Sequence, residues 1–167
     1  MMKHLFVFCA ALLCVTACRP TKDEKPPKTQ LEIRQFQTRS FDTQDVRLVM
    51  KSLLNVLQDD GYVVKNVALD LGFISANKEM DVEEGSERFF AQATSGAQAR
   101  WVKNELIEAT LNVTEFGTHT RVRTNFQRKV FDNRGAVVTV EQIIDEQFYQ
   151  DFFTKVDKGI FIQGQDI

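Results

Sequence analysis

Two stretches of the chain alternate apolar and polar residues in step. From Glu105 to Glu115, Ile107, Ala109, Leu111 and Val113 alternate with Glu108, Thr110, Asn112 and Thr114. From His119 to Val130, Val122, Phe126 and Val130 stand among Arg121, Arg123, Asn125, Gln127 and Lys129. A period of two predicts strands with one buried face. Gly117-Thr118 between them is a glycine-first pair that predicts a type II′ hairpin turn. A two-residue turn pairs residues whose numbers have a constant sum, so Val113 falls opposite Val122, Leu111 opposite Thr124 and Ala109 opposite Phe126. Thr114 then meets Arg121, Asn112 meets Arg123, Thr110 meets Asn125 and Glu108 meets Gln127. One face is apolar and the other polar, and a slip by one residue would exchange them.

The remaining elements follow from the same reading. Leu31 to Arg39 predicts a first strand. In "FDTQDVRLVMKSLLNVLQDDG", Val46, Val49, Met50, Leu53 and Leu57 recur at helical spacing, with Asp42 as the cap and Gly61 as the stop. Tyr62 to Leu69 and Phe73 to Met80 flank Gly72 as a second hairpin, and "AVVTVEQII" is one more strand after the turn "DNRG". A final helix, capped by Asp145, carries Phe148, Phe152, Val156 and Ile160 along one stripe, with Tyr149 and Phe153 beside it. Phe161 and Ile162 beyond it are expected either exposed or docked as an extra strand. The sum is a two-layer α+β domain: an antiparallel sheet with two helices packed on one face, in the order β-α-β-β-(loop)-β-β-β-α. The loop is Asp81 to Arg100. Packing through a short helix from Ser86, docked by Phe89 and Phe90, and a partner-binding excursion both fit it.

The N-terminal segment follows another logic. The chain has three cysteines, Cys9, Cys14 and Cys18, all in its first tenth. "LFVFCAALLCV" is an apolar run of signal-peptide length, shorter than the roughly 20 residues of a spanning helix. Val15, Thr16 and Ala17 ahead of Cys18 resemble the bacterial lipobox, which implies residues 1–17 as a lipoprotein signal peptide and Cys18 as the lipidated N-terminus. Leu13 before Cys14 and Phe8 before Cys9 are too bulky for that cut. The expected mature chain then has no disulfide, and its domain, residues 31–167, rests on its core alone. Residues 18–30 hold all three prolines, Pro20, Pro26 and Pro27. They read as a tether reaching roughly 40 Å at about 3 Å per residue. Arg19 is not the aspartate that resembles an inner-membrane retention signal, so the expectation is an outer-membrane anchor facing the periplasm.

The formal net charge is −2, with acidic and basic residues interspersed, which points away from nucleic acid. Beyond the signal segment the chain has one histidine, His119, at a predicted hairpin tip, and no thiol outside the anchor. Zinc sites and cysteine nucleophiles are therefore not expected, nor any other metal or cofactor. No GxSxG elbow or phosphate-cradling loop is present. The carboxylate pairs Asp59-Asp60 and Glu83-Glu84 are the only material for a hydrolase, in contexts where acidic residues are ordinary surface.

Phenylalanine is the outlier of the composition, at fourteen residues. Core packing is the plainer account; the sharper one has Phe126, Phe148, Phe152 and Phe153 lining a pocket for a lipid or other apolar ligand. On the polar face, Arg121, Arg123, Lys129 and Asn112 project together. Solvated faces look the same, but arginines also favour bidentate contacts with a partner's carboxylates.

The strings "LQDDGYVV", "LGFISANK", "FQRKVFDNRGAV" and "FYQDFFTKVDKGIFIQ" resemble a family of small, uncharacterised proteobacterial envelope lipoproteins, over most of the domain. The resemblance brings no catalytic or binding residues with it. More loosely, the predicted order resembles the helix-grip domains of outer-membrane-assembly lipoproteins. Anchor, tether and two-faced sheet together lead to the expectation of a non-enzymatic accessory or scaffold lipoprotein that binds another envelope protein; an apolar-ligand module is the alternative. Cys18→Ser is expected to abolish lipid attachment, read as loss of the protein from the membrane fraction. The domain should keep its circular dichroism, and loss of the fold would show that it depends on its anchor.

Overall fold

The computed structural model describes residues 27–82, 85–95 and 98–165, without the side chains of Glu87 and Phe90. The expected signal peptide, Cys18 and most of the expected tether lie outside the described residues, as do Glu83 and Glu84.

The long hairpin is the frame. β4 (Val102–Phe116) and β5 (His119–Asp132) pair antiparallel, with Val113 opposite Val122, Leu111 opposite Thr124 and Ala109 opposite Phe126. This is the expected register. Gly117 opens the turn at φ 64°, a left-handed conformation that glycine adopts without steric cost. β3 (Phe73–Asp81) pairs β4, and β2 (Val63–Ala68) pairs β3 to form one edge. On the other side, β5 is long enough to serve two strands. β1 (Thr38–Phe41) lies along Thr120–Arg123, and β6 (Val137–Gln142) along Gln127–Phe131. The result is a six-stranded antiparallel sheet. Gly72, in the β2–β3 turn, accepts the Val113 N–H at 2.7 Å and has φ 59°. A Cβ there would stand 1.9 Å from the Val113 carbonyl oxygen, so only glycine lets this turn close on β4.

Helices cover the apolar face as the pattern requires. α2 (Val46–Asp59) buries Val49, Met50, Leu53, Val56 and Leu57, and α4 (Glu146–Gln165) buries Tyr149, Phe152, Phe153 and Val156. Each fully buried leucine contributes about 2 kcal/mol of transfer free energy. The two helices approach closely where Gly159 faces Ser52: a Cβ at 159 would lie 3.5 Å from the Ser52 Cβ. Asp45, rather than the expected Asp42, caps α2 by accepting the Leu48 N–H at 3.0 Å; Asp42 instead meets His119. Gly61 follows the helix at φ 82°, and Lys78 reaches across from β3 to donate to the Asp60 carbonyl at 2.8 Å. A glycine in this conformation is the usual helix stop. Asp145 caps α4 as expected, accepting the Gln147 N–H. Phe161 and Ile162 lie in its last turns, largely exposed.

The start of the domain corrects the expected strand at Leu31–Arg39. α1 (Gln30–Phe36) stands there, and only Thr38–Phe41 is extended. The cause is a capping box. The Thr29 hydroxyl accepts the Glu32 N–H while the Glu32 carboxylate accepts the Thr29 N–H, so two orphan donors of the first turn are satisfied. Ile33 and Phe36, three residues apart, then face inward, Ile33 buried and Phe36 5.2 Å from the Tyr149 ring. Lys28 is held too, 3.7 Å from Glu146 and over the Phe36 ring, so the ordered domain starts before the expected boundary at residue 31. The expected loop holds α3 (Gly85–Ser95), close to the helix expected from Ser86. Phe89 on it is 68% exposed.

Between β1 and β6 the edge of β5 has no strand, and Tyr149 closes the gap. Its buried hydroxyl accepts from the Gln37 amide at 3.1 Å and the Phe126 N–H at 3.3 Å, and donates to the Ile143 carbonyl at 2.9 Å. Burial raises its pKa, so the donated proton is retained. Thr124 N–H donates to Gln37 O and Ile143 N–H to Phe126 O, both at 2.9 Å. At the far end, buried Asp132 accepts the Ala136 N–H at 2.8 Å and the Arg134 N–H at 2.9 Å, and faces Arg100 at 3.2 Å. These interactions, the Ala136 N–H foremost, hold its carboxyl below the usual aspartate range against the opposing effect of burial.

Tyr149→Phe strands a donor at Phe126 and an acceptor at Ile143, and should lower stability by about 2–3 kcal/mol, given about 1–3 kcal/mol per orphaned group. Urea unfolding reads it; a loss under about 0.5 kcal/mol would show the hydroxyl to be dispensable. Because the native pKa of Asp132 is depressed, its contribution is present above the unfolded value and lost as pH falls through the native one. Asp132→Asn should therefore flatten the acid limb of a melting-temperature profile, and parallel wild-type and variant profiles would exclude Asp132 as its source.

Candidate functional site

The strand alternation that buries one face of the sheet lays out the other in rows. Across five strands, Thr38, Arg123, Asn112, Phe73 and Ala68 stand side by side. The next row is Asn125, Thr110, Ser75 and Asn66, and on the other side Ser40, Arg121 and Thr114. Polar residues predominate, and the row centred on Arg123 runs the width of the sheet.

The four residues expected to project together divide into two groups. Asn112 and Arg123 are direct cross-strand partners, both exposed. Among the described residues neither side chain has a hydrogen bond or ion pair. Arg121, one position along the same face, lies with its guanidinium 3.7 Å from the centroid of the Phe116 ring. Attraction between cation and ring face holds it flat on the sheet. Lys129 does not join them. It sits six residues from Arg123, about 20 Å along the strand, and Glu108 at 2.7 Å neutralises it. Arg123 and Asn112 instead border a shallow depression of about 370 Å³ with Phe73, Thr110, Asn125 and Gln142. Gln142 donates to Asn125 and closes one side.

What this arrangement can do is bind. A guanidinium offers parallel donors suited to a carboxylate, Asn112 adds an amide, and Phe73 gives an apolar floor. Among the residues that line the depression, Thr110 brings a hydroxyl, with no histidine beside it to act as a base. The depression is open to solvent, so both cation and amide meet a ligand hydrated, and specificity must come from several such contacts.

The other sequence candidates lie apart from this face. Phe126, Phe152 and Phe153 are buried in the core, and Phe148 packs partly buried against it. Phe126 packs edge-on against Phe148 at 4.9 Å and Phe152 at 5.2 Å, and Phe152 meets Phe153 at 5.7 Å. At contact distance the rings leave no cavity among themselves. Phe148 and Phe152 border an open depression of about 340 Å³ with Tyr62, Met80 and Ile107, and Phe153 borders another of about 390 Å³. His119, at the hairpin tip, has its Nδ1 2.9 Å from Asp42. Asp60 closes α2 and is paired with Lys155, remote from the open face. Among the described residues no group of three or more histidine, cysteine, aspartate or glutamate residues is placed to hold a metal ion. No described helix is long and apolar enough to cross a membrane. Compared with known proteins, the chain matches no family model and no curated protein.

The sequence reading missed the stacking of Arg121 on Phe116. The signal was present, since Phe116 shares the parity of Thr114 and Asn112 on β4, but it lay beyond the expected strand end at Glu115.

Proposed function

We propose that this chain is a non-enzymatic lipoprotein, anchored through Cys18 to the outer membrane on its periplasmic side. Its domain serves as an accessory or scaffold subunit binding another envelope protein through the open face of the sheet. The small proteobacterial envelope lipoproteins that its sequence resembles are the setting for this reading. The observation that carries it is the unpaired couple Arg123 and Asn112 on a face that α2 and α4 leave uncovered. A guanidinium with no counter-charge among the described residues, beside an exposed amide and a half-buried phenylalanine, suits an acidic or main-chain surface of a partner. The alternative, an apolar-ligand module, has less in its favour: the four rings pack on one another, and the depression that Phe148 and Phe152 border is open and ringed by Asp60, Lys78 and Lys155.

A photocrosslinkable residue in place of Arg123, in cells, tests the proposal. One discrete adduct with another envelope protein, identified by mass spectrometry, is the expected result. Absence of any adduct, with the variant abundant and membrane-bound, would leave the face merely solvated and overturn the reading.

A further inference from the structure

An exposed sheet edge presents unpaired N–H and C=O groups, and proteins normally guard it with lysine, proline, bulges or a covering element. Three strands of this sheet, β1, β2 and β6, pair on one side only, and they differ in that respect. β1 is only four residues long and carries Arg39. β2 is bulged between Val64 and Asn66, with Lys65 at the irregularity. β6 has its irregularity only at the start, between the partners of Val130 and Phe131, and pairs regularly from Thr139 to Gln142. It contains neither lysine nor proline, and all six of its residues are exposed. Val137, Val138 and Val140 are 54%, 55% and 50% exposed. β6 pairs only with β5, so its far edge is unbonded among the described residues.

We propose that β6 is a self-association edge, on which a second copy of this chain adds its own β6 antiparallel about a two-fold axis at Val140. The inference stands whether or not the open face binds a partner. Three observations select the occupant. First, with Cys18 as the mature N-terminus, as proposed, the sequence ahead of Pro27 reads "RPTKDEKP", where Pro20 and Pro26 lack an N–H and no residue is apolar, a composition ill suited to pairing with β6. Second, the opposite edge of another copy is bulged at Lys65, so head-to-tail addition of β6 to β2, which would grow an open filament, is disfavoured. A β6–β6 contact instead closes on itself as a dimer. Third, the charges agree. The strand's one ionised side chain, Glu141, is held by Arg128 at 3.3 Å. With Val140 opposite its own mate, Glu141 faces Thr139 and Gln142 faces Val138, so no like charges are opposed.

The backbone is oriented for this. Ile143 turns its N–H inward to Phe126, and alternation along the strand then turns the N–H and C=O of Val140 and Gln142 outward. A two-fold normal to the sheet keeps the helices of both copies on one side. The two open faces, each with its Arg123, become a single surface.

The test uses the full chain in isolated membranes under mild oxidation. Val140→Cys should give a disulfide-linked dimer on a non-reducing gel, absent from the wild-type chain. Val138→Cys and Gln142→Cys should give none singly, because each lies four positions from its own mate, but should crosslink when co-expressed. A disulfide needs Cα atoms closer than about 7 Å, so the pattern reads the register directly. No dimer from a folded Val140→Cys chain would overturn the proposal, as would adducts only to other proteins. Sedimentation of the detergent-solubilised protein gives a second reading that needs no cysteine. The wild type should carry twice the protein mass of the Val138→Lys, Val140→Lys double variant, whose exposed positions leave the fold intact, and equal masses would refute it.

Discussion

The hydroxyl of Tyr149 ties three parts of the chain together at one buried point. It can donate once and accept twice, and all three capacities are used, by Ile143, Gln37 and Phe126. The oxygen stands where a ladder bond between Phe126 and Ile143 would otherwise run, so β6 can leave the edge of β5 and turn into α4 without stranding a buried amide. From the other side, Gln37 brings in the end of α1 and the start of β1. One side chain on α4 thus fixes where β1 begins, where β6 ends and how the helix sits between them. The rings around it, Phe36, Phe126 and Phe148, are arranged to keep water from that oxygen.

Legibility in the sequence followed the range of the interactions. The β4–β5 register could be read because a period of two and a two-residue turn leave no freedom once one face is apolar. The buried stripes of α2 and α4 were equally plain, since Val49, Leu53 and Leu57, or Phe152 and Val156, repeat at helical spacing. The first strand was misread because Leu31 and Ile33 alternate with Glu32 and Arg34, a pattern that a short helix with two inward residues also satisfies. Thr29 and Glu32 carried the deciding signal, a threonine followed three residues later by a glutamate. The Tyr149 junction was beyond reach: it links residues more than a hundred positions apart, and nothing local distinguishes its hydroxyl from one in solvent.

The open face was legible to the same degree. Alternation placed Arg121, Arg123, Asn112 and Lys129 on one surface correctly. It could not tell that Glu108 would neutralise Lys129 and that no described residue would neutralise Arg123, because cross-strand neighbours depend on rotamers as well as register. The phenylalanines show the opposite limit. Their abundance fits a filled core first and a lined cavity second, and only ring-to-ring distances separate the two.

The early start of α1 alters the geometry of attachment. Lys28 is pinned between Glu146 and the Phe36 ring, so with the chain anchored at Cys18, as proposed, the expected tether ends near Pro27. That is about ten residues, or about 30 Å of extended chain. The domain then hangs by the corner where α1 meets the start of α4, within a shell little deeper than its own width. Partners soluble in the surrounding compartment gain nothing from that confinement. Those rooted in the same bilayer are met at a local concentration set by the leash, so contacts too weak to hold in solution can persist there.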